Sequence, residues 1–446
     1  MTSTTPPPAG PETAAELPRK LGLLDSTSIV IGTTIGVGIF IVPGSIAREL
    51  PSASLILATW TITGIISFFG ALAYAELGAM MPHSGGQYVY LREAYGPLAA
   101  FACGWVAFFI TQSGSIATVS VGFGIYLSYL APGWPAVRTW SPVAIIALFT
   151  LINYRGVRGG AWTQNIFTLL KLSGLALLIG SALLSREPSQ LQWASGLKSP
   201  SVHSIVIAML GCFVAFDGWQ YIAFVAGEVR QPQRNIPLAL ALGCGAVVAI
   251  YLLANVAYMR TLPLDAIGAT ERVAAAAAER TLGPFGAVLI TLTIVLSSAG
   301  AANGGILTSP RIYFAQARDK LFFQQMATIH PRFRTPSFSI LIQGIWAGIL
   351  ALSGSYETLF SYVLFAMWLF HGMTVFGVIL LRRRCAERPR PYRMWGYPVS
   401  PLLFSAFALW FVVNTFLTRP GPSLTGTLII ACSIPLYYLW RRRAIP

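Results

Sequence analysis

An all-α polytopic membrane protein is the fold class this sequence predicts, with twelve spanning helices and both termini on the cytoplasmic side. Three observations lead there. Of 446 residues, 55% are hydrophobic and only 10% are charged, against about 25% charged in a soluble domain. Apolar runs recur from residue 28 to residue 440, most of them near the ~20 residues a helix needs to cross a hydrocarbon core. The cations also alternate. With a cytoplasmic N-terminus, 21 of the 30 Lys and Arg fall in the inside segments, 8 in the outside segments, and Lys171 alone within a span. This is the positive-inside bias expected of an even number of spans. The net charge of +15 is therefore a matter of membrane topology and predicts no nucleic-acid partner.

Taken in order, the first 18 residues, MTSTTPPPAGPETAAELP, are rich in Pro, Ala and Thr and read as part of a disordered cytoplasmic tail over 1–20. They are no cleavable leader, because the apolar part begins too late and runs too long. Span 1, roughly 28–50, contains TTIGVGIFIVPG with Gly36, Gly38 and Gly44. Spans 2 to 5 follow at roughly 54–81, 98–130, 140–154 and 162–185. Span 6, roughly 203–227, contains FVAFDGW; spans 7 to 10 lie near 237–260, 285–309, 337–353 and 358–381. The stretch AAAAAER at 274–280 reads as an external helix able to act as a lid. Residues 21–384 form a core of ten helices. Residues 385–446 add helices 11 and 12, near 400–417 and 424–440, and a cytoplasmic C-terminus.

Spans 1 and 6 share a design: an apolar half, a glycine-bearing break with an aromatic residue, and a second apolar half. Glycine-interrupted segments at matching places in two halves predict an inverted repeat, here spans 1–5 and 6–10, with a binding site at the breaks. A lone break of this kind reads first as tight helix packing through small residues, and two breaks in matching register shift the balance. The second break also carries Asp217, an ionisable residue near mid-span, which is costly in hydrocarbon and marks function. An unwound turn frees N–H groups, which bind an anion at a half-helix N-terminus, and carbonyls, which accept from a cation. A free amino acid carries both charges on one carbon, so two facing breaks can hold it. Glycine suits such a turn because it lets a ligand approach the backbone.

Several stretches carry a resemblance. They are IGTTIGVGIF, MPHSGGQYVYLREAYGP at 81–97, NIFTLLKLSGLAL around Lys171, FVAFDGW with GEVRQPQRNIPLAL, ANGGILTSPRIYFAQARD and RPRPYRMWGYPV. In this order, over about residues 20–440, the chain resembles the amino acid–polyamine–organocation superfamily, and within it the L-type amino acid transporter family. The resemblance implies a LeuT-like fold of twelve helices with a 5+5 inverted repeat and broken helices 1 and 6. It also implies sodium-independent amino acid transport.

Carried over residue by residue, it implies that Gly36, Val37 and Gly38 present backbone N–H groups to the substrate carboxylate. The carbonyls of Thr34, Val214 and Asp217 would receive its ammonium. Phe213, Phe216 and Trp219 lie around the second break, and Trp368 is either a cavity-lining or a packing residue. The small and polar residues of span 8 are mainly packing contacts, with Asn303 a candidate to reach the cavity. Lys171 would take the place of the sodium ion of sodium-driven relatives and bond carbonyls near Thr34–Gly36. Fixed charge, titrating proton carrier and snorkelling cation all stand as readings of it. Val37 replaces a serine of many relatives, so carboxylate capture must rest on the main chain. Val214 stands where several relatives carry an aromatic gate, with Phe213 its neighbour.

Other chemistries find little support. Five cysteines include no outside pair, and no Cys/His spacing suggests a metal site. No phosphate-binding loop is present, so no cofactor is expected. Glu76, Glu228, Arg230, Arg92 and Arg155 read as candidate inside-gate charges or as solvated loop residues. The loop APGWPAVRTW after span 3 has no cysteine, so no disulfide-linked heavy chain is predicted. The partners expected are a small amino acid and the lipid bilayer. Transport of neutral amino acids is the first reading, transport of cationic amino acids or polyamines the second, and a non-transporting amino acid sensor the third. A membrane-embedded enzyme would need a cluster of His, Asp, Glu or Cys at one depth, and none is legible.

Overall fold

A chain this apolar can satisfy its backbone in hydrocarbon only as helices or as a closed barrel, and it forms helices. The computed structural model describes residues 17–191, 193, 200–270, 272–353, 356–418 and 420–444. Among them every regular element is helical, apart from one isolated bridge between Leu21 and Val229. The order is α1 (Leu23–Thr34), α2 (Gly38–Glu49), α3 (Ala53–Met80), α4 (Gln87–Tyr95), α5 (Pro97–Val106), α6 (Gln112–Leu130), α7 (Ala136–Tyr154) and α8 (Val157–Leu184). There follow α9 (Val202–Ala215), α10 (Tyr221–Phe224), α11 (Pro232–Thr261), α12 (Leu264–Ala269), α13 (Val273–Leu282), α14 (Pro284–Thr308) and α15 (Pro310–Arg318). The last four are α16 (Ser337–Ser353), α17 (Tyr356–Arg384), α18 (Val399–Thr418) and α19 (Pro420–Ala444).

Ten helical stretches among the described residues are long and apolar enough to cross a membrane. The remaining two expected spans correspond to shorter apolar helices, 202–215 and 337–353. The first is short because the span breaks at Asp217.

Three local departures from uniform helices shape the interior. Residues Ile35–Val37 separate α1 from α2, and a non-helical turn at 216–220 separates α9 from α10. The third was not anticipated: residues Ala107–Thr111, between α5 and α6, form a π-helical turn. Such a widened turn misaligns carbonyls from the regular ladder. Here the indole of Trp346 donates to the Phe109 carbonyl at 3.1 Å, and the Tyr313 hydroxyl to that of Ala107 at 3.2 Å.

Of the tail expected over 1–20, residues 1–16 lie outside the described residues. Leu17 is buried, and the N–H groups of Lys20 and Leu21 both donate to the Glu228 carbonyl, at 2.8 and 2.9 Å. The alanine-rich stretch forms α13, whose Val273, Ala274, Ala277 and Ala278 are buried in one cluster with Ile39 and Phe40 of α2.

Candidate functional site

The two breaks meet. At the end of α1 the hydroxyls of Thr33 and Thr34 fold back onto the carbonyls of Ile29 and Val30, at 2.6 and 2.8 Å, a local bonding that competes with helix propagation. The Thr33 hydroxyl also lies 2.8 Å from the Gly218 carbonyl in the second break. Gly218 has φ +127°, and a Cβ there would stand 2.6 Å from the Thr33 carbonyl carbon, so only glycine permits the contact. Gly38 repeats the device: its Cβ would stand 2.9 Å from the Ala215 Cα. Gly36 differs, with nothing within 4 Å of its notional Cβ. Gly44 packs against the backbone at Thr270. The three glycines of TTIGVGIFIVPG thus serve three purposes: an opening, a helix–helix contact and a loop contact.

The opening is a cavity of about 110 Å³. Thr33, Thr34, Gly36, Val37 and Gly38 line it from the first break; Val214, Ala215, Asp217 and Gly218 line it from the second. α6 contributes Ser115, Ile116, Thr118 and Val119, and α17 contributes Val363, Leu364 and Met367. Gly38 opens α2, so its leading N–H groups lack the i−4 partners of a helix interior, and Val37 and Gly38 at that end line the cavity. The Thr34 carbonyl is already engaged: Tyr251 donates its hydroxyl to it at 3.1 Å and to the Ala215 carbonyl at 2.9 Å, and the Gly36 N–H donates to it at 2.9 Å.

Lys171 is fully buried on α8. Its ammonium donates to the carbonyls of Gly32 at 2.8 Å, Ile35 at 2.5 Å and Ser297 at 3.2 Å. The Ser297 hydroxyl donates to Ile35 and Gly36 at 2.9 and 3.1 Å. The carbonyls that α1 sets free at its break are thereby bound to α8 and α14.

Five residues expected around the substrate are seated elsewhere. Phe213 stacks on Phe407 at 3.8 Å and meets Trp368 edge-on. Phe216 packs on Trp60 and Tyr251. Trp219 packs on Tyr74 and Phe404. Trp368 stacks on Phe404 and Phe411. Asn303 bonds Asn153, Gln164 and the Gly160 carbonyl, locking α14 to α7 and α8. Three of the four rings share a physical reason: α18 supplies Phe404, Phe407 and Phe411 as a wall behind the site, and Phe213, Trp219 and Trp368 bury against it, while Phe216 turns instead to Trp60 of α3 and Tyr251 of α11. The cavity is correspondingly less aromatic than expected, and Tyr221 is its sole aromatic lining residue among those described.

The side bearing the arginine-rich loops is closed. Arg311 and Glu228 form a fully buried pair, with Nε–Oε1 at 2.6 Å. Glu76 is bonded by Arg382 at 2.8 and 2.5 Å and by the Met394 N–H at 2.8 Å. Arg92 and Tyr88 of α4 both donate to Asp319, at 2.5 and 2.8 Å. Burial works against the Arg92 charge, but the hydrogen bond and charge of Asp319 outweigh it and hold its pKa above the ordinary value. The sequence suggested Glu76, Glu228 and Arg92 as gate charges without naming their partners, and the partners found here, Arg382, Arg311 and Asp319, lie on other segments. On the opposite side a larger cavity of about 750 Å³ continues along the same two helices, from Ile41 to Arg48 on α2 and from Val121 to Tyr129 on α6.

Two residues escaped sequence reasoning, Tyr251 and His371. A tyrosine within an apolar run gives no signal of its bonding. His371 did give one: it is the histidine of span 10, four positions after Met367 and hence on the same helix face.

With this geometry, comparison with known proteins decides the family. Residues 21–439 match the model of the amino acid permease family.

The chain belongs to the amino acid permease family.

As a permease it also has curated relatives over nearly its whole length. It is 33% identical over 441 residues to the cystine/glutamate transporter of Homo sapiens, covering 97% of this chain and 87% of the relative. It is 32% identical over 433 residues to the b(0,+)-type amino acid transporter 1 of Homo sapiens, covering 95% and 88%. It is 31% identical over 437 residues to the large neutral amino acids transporter small subunit 2 of Homo sapiens, covering 95% and 80%. These relatives are transporters and not enzymes, and this permease, with its apolar helices, is an integral membrane protein.

Proposed function

We propose that this permease is a sodium-independent secondary transporter of L-amino acids, neutral ones foremost, working by alternating access in the plasma membrane. The observation that carries the reading is the junction of the two breaks: two interrupted helices, in backbone contact, flank a small cavity with main-chain groups of both. The relatives named above bear the names of amino acid transporters, which supports the substrate class. The ten long apolar stretches, the broken α9–α10 unit and α16 together make twelve spans. Spans 1–5 and 6–10 are read as inverted repeats, and both termini as cytoplasmic.

In this reading the carboxylate is captured by N–H groups at Val37 and Gly38, while Gly36, whose own N–H is given to the Thr34 carbonyl, supplies the open space beside them. The ammonium meets the carbonyls of Val214 and Asp217, since that of Thr34 already accepts from Tyr251 and Gly36. Lys171 replaces a coupling cation, because an ammonium held by three carbonyls supplies the charge a bound sodium ion would. A second reading, cationic amino acids, is favoured by the Asp217 carboxylate at the cavity wall. No covalently linked heavy chain is proposed, and a disulfide-linked species on a non-reducing gel would overturn that.

The deciding experiment is uptake and exchange of labelled alanine, leucine, lysine and glutamate in proteoliposomes, with and without sodium and a pH gradient. Sodium-independent flux of a neutral amino acid is expected. Binding without flux under any gradient would leave an amino acid sensor instead.

A further inference from the structure

Asp217 is held by a chain of hydrogen bonds that begins far from the substrate. The Thr374 hydroxyl donates to the Phe370 carbonyl at 2.7 Å, so its oxygen must accept from elsewhere. Gln87 Nε2, at the start of α4, lies 3.2 Å from it and 3.2 Å from His371 Nδ1. An amide nitrogen only donates, so His371 Nδ1 accepts. Its proton therefore sits on Nε2, which lies 3.3 Å from Asp217 Oδ1. The same carboxylate accepts from Gln220 Nε2 at 3.2 and 3.3 Å. Gln220 is itself fixed, its Oε1 accepting from the Gly218 N–H at 3.1 Å.

Every donor to Asp217 is thus neutral. No Lys or Arg among the described residues forms an ion pair with it. His371 is buried among Tyr74, Trp219 and Trp368, while the Asp217 side chain keeps 18% of its surface and lines the cavity. A carboxylate so placed is oriented without being neutralised, and a substrate bearing a second positive charge can complete it. The Tyr74 hydroxyl lies 3.5 Å from the same Nδ1, and the Gln87 amide is itself no proton relay, since its N–H protons are too weakly acidic to be passed on and its nitrogen has no free lone pair to receive one.

We propose that His371 is a specificity-determining positioning residue: as an Nε2–H donor locked by Gln87, it aims an uncompensated Asp217 carboxylate at the cavity and so admits cationic amino acids beside neutral ones. The proposal rests on the transporter reading above, and its test separates the two. Full-length protein in proteoliposomes is assayed for KM and kcat with labelled L-lysine and L-alanine.

His371→Phe keeps a ring but loses the donor. It is expected to raise the lysine KM about tenfold more than the alanine KM, a loss equivalent to one charge-assisted hydrogen bond, with the lysine kcat changing less than its KM. His371→Gln, which can place an amide N–H near Nε2, is expected to restore most of the ratio. Gln87→Leu, which frees the tautomer without touching His371, shifts the ratio the same way but less, and is informative should His371→Phe fail to fold. Combined with Asp217→Asn, His371→Phe is expected to change the ratio no further. Equal shifts in both KM values, or a lysine-to-alanine ratio unmoved by His371→Phe and Gln87→Leu, would overturn the role of His371 while leaving alanine transport standing. Wild-type protein that moves alanine but not lysine overturns it too. Wild-type protein that moves neither overturns both readings.

Discussion

At the scale of single residues, the two glycines either side of Val37 separate folding from binding. Gly38→Ala drives a methyl to within 2.9 Å of the Ala215 backbone, overpacking expected to cost about 1–3 kcal/mol, read as a lower melting temperature in detergent. Gly36→Ala meets open space, so its melting temperature should stay close to wild type while substrate affinity falls, the methyl projecting into the cavity. If both variants melt alike and bind alike, the two glycines are not distinct in function. Lys171→Ala removes three donations to main-chain carbonyls at once. It is expected to leave the protein folded and able to bind, by substrate-induced thermal shift, but to reduce flux by about tenfold or more, since the scaffold no longer grips the moving half-helix. Flux equal to wild type would remove Lys171 from any coupling role.

The sequence could announce Lys171, Asp217 and the glycines because each is out of place in an apolar run. It could not say that Phe213, Phe216, Trp219 and Trp368 face away from the cavity. A ring near a break looks the same whether it turns inward or back, and the deciding wall on α18 lies about 190 positions further along the chain from Phe213 to Phe404.

At the scale of elements, the closed side depends on charges brought together from distant segments. Glu228→Gln leaves the Arg311 guanidinium fully buried without a counter-charge, expected to cost about 3–5 kcal/mol. The double variant Glu228→Gln with Arg311→Met should recover much of that stability, because it removes the orphaned charge. A double variant less stable than the single one would show that the pair contributes beyond mutual neutralisation. Such pairings were only partly legible. Glu228 stood out as an acid beside a span, whereas Arg311, at the end of an apolar run, reads as one more inside cation of the positive-inside count. The π-helical turn between α5 and α6 left no mark at all, since Ala107–Thr111 reads as ordinary apolar helix.

For the whole molecule, the distribution of cations and the apolar runs made the membrane class and the approximate spans readable, because lipid imposes its solvent rule on every residue. Orientation can be checked in a Cys432→Ser background through Cys385, which is partly exposed in the loop after α17, while Cys103, Cys212 and Cys244 are buried and Cys432 is exposed on α19. A membrane-impermeant maleimide should label Cys385 in inside-out vesicles and spare it in right-side-out vesicles. The opposite pattern would invert the proposed topology.

The contact between Thr33 and Gly218 acts as a rivet. Backbone is pressed to backbone there, and Tyr251 ties the neighbouring carbonyls of Thr34 and Ala215 with one hydroxyl, so the two interrupted helices are fastened to each other. In the proposed transport cycle the two interrupted helices would rock as a single lever, with Lys171 as its axle on α8, and a substrate held between the breaks would travel with that lever instead of being passed from one helix to the other. A mutation at the rivet would uncouple the two arms and leave a protein that binds at one and releases at neither.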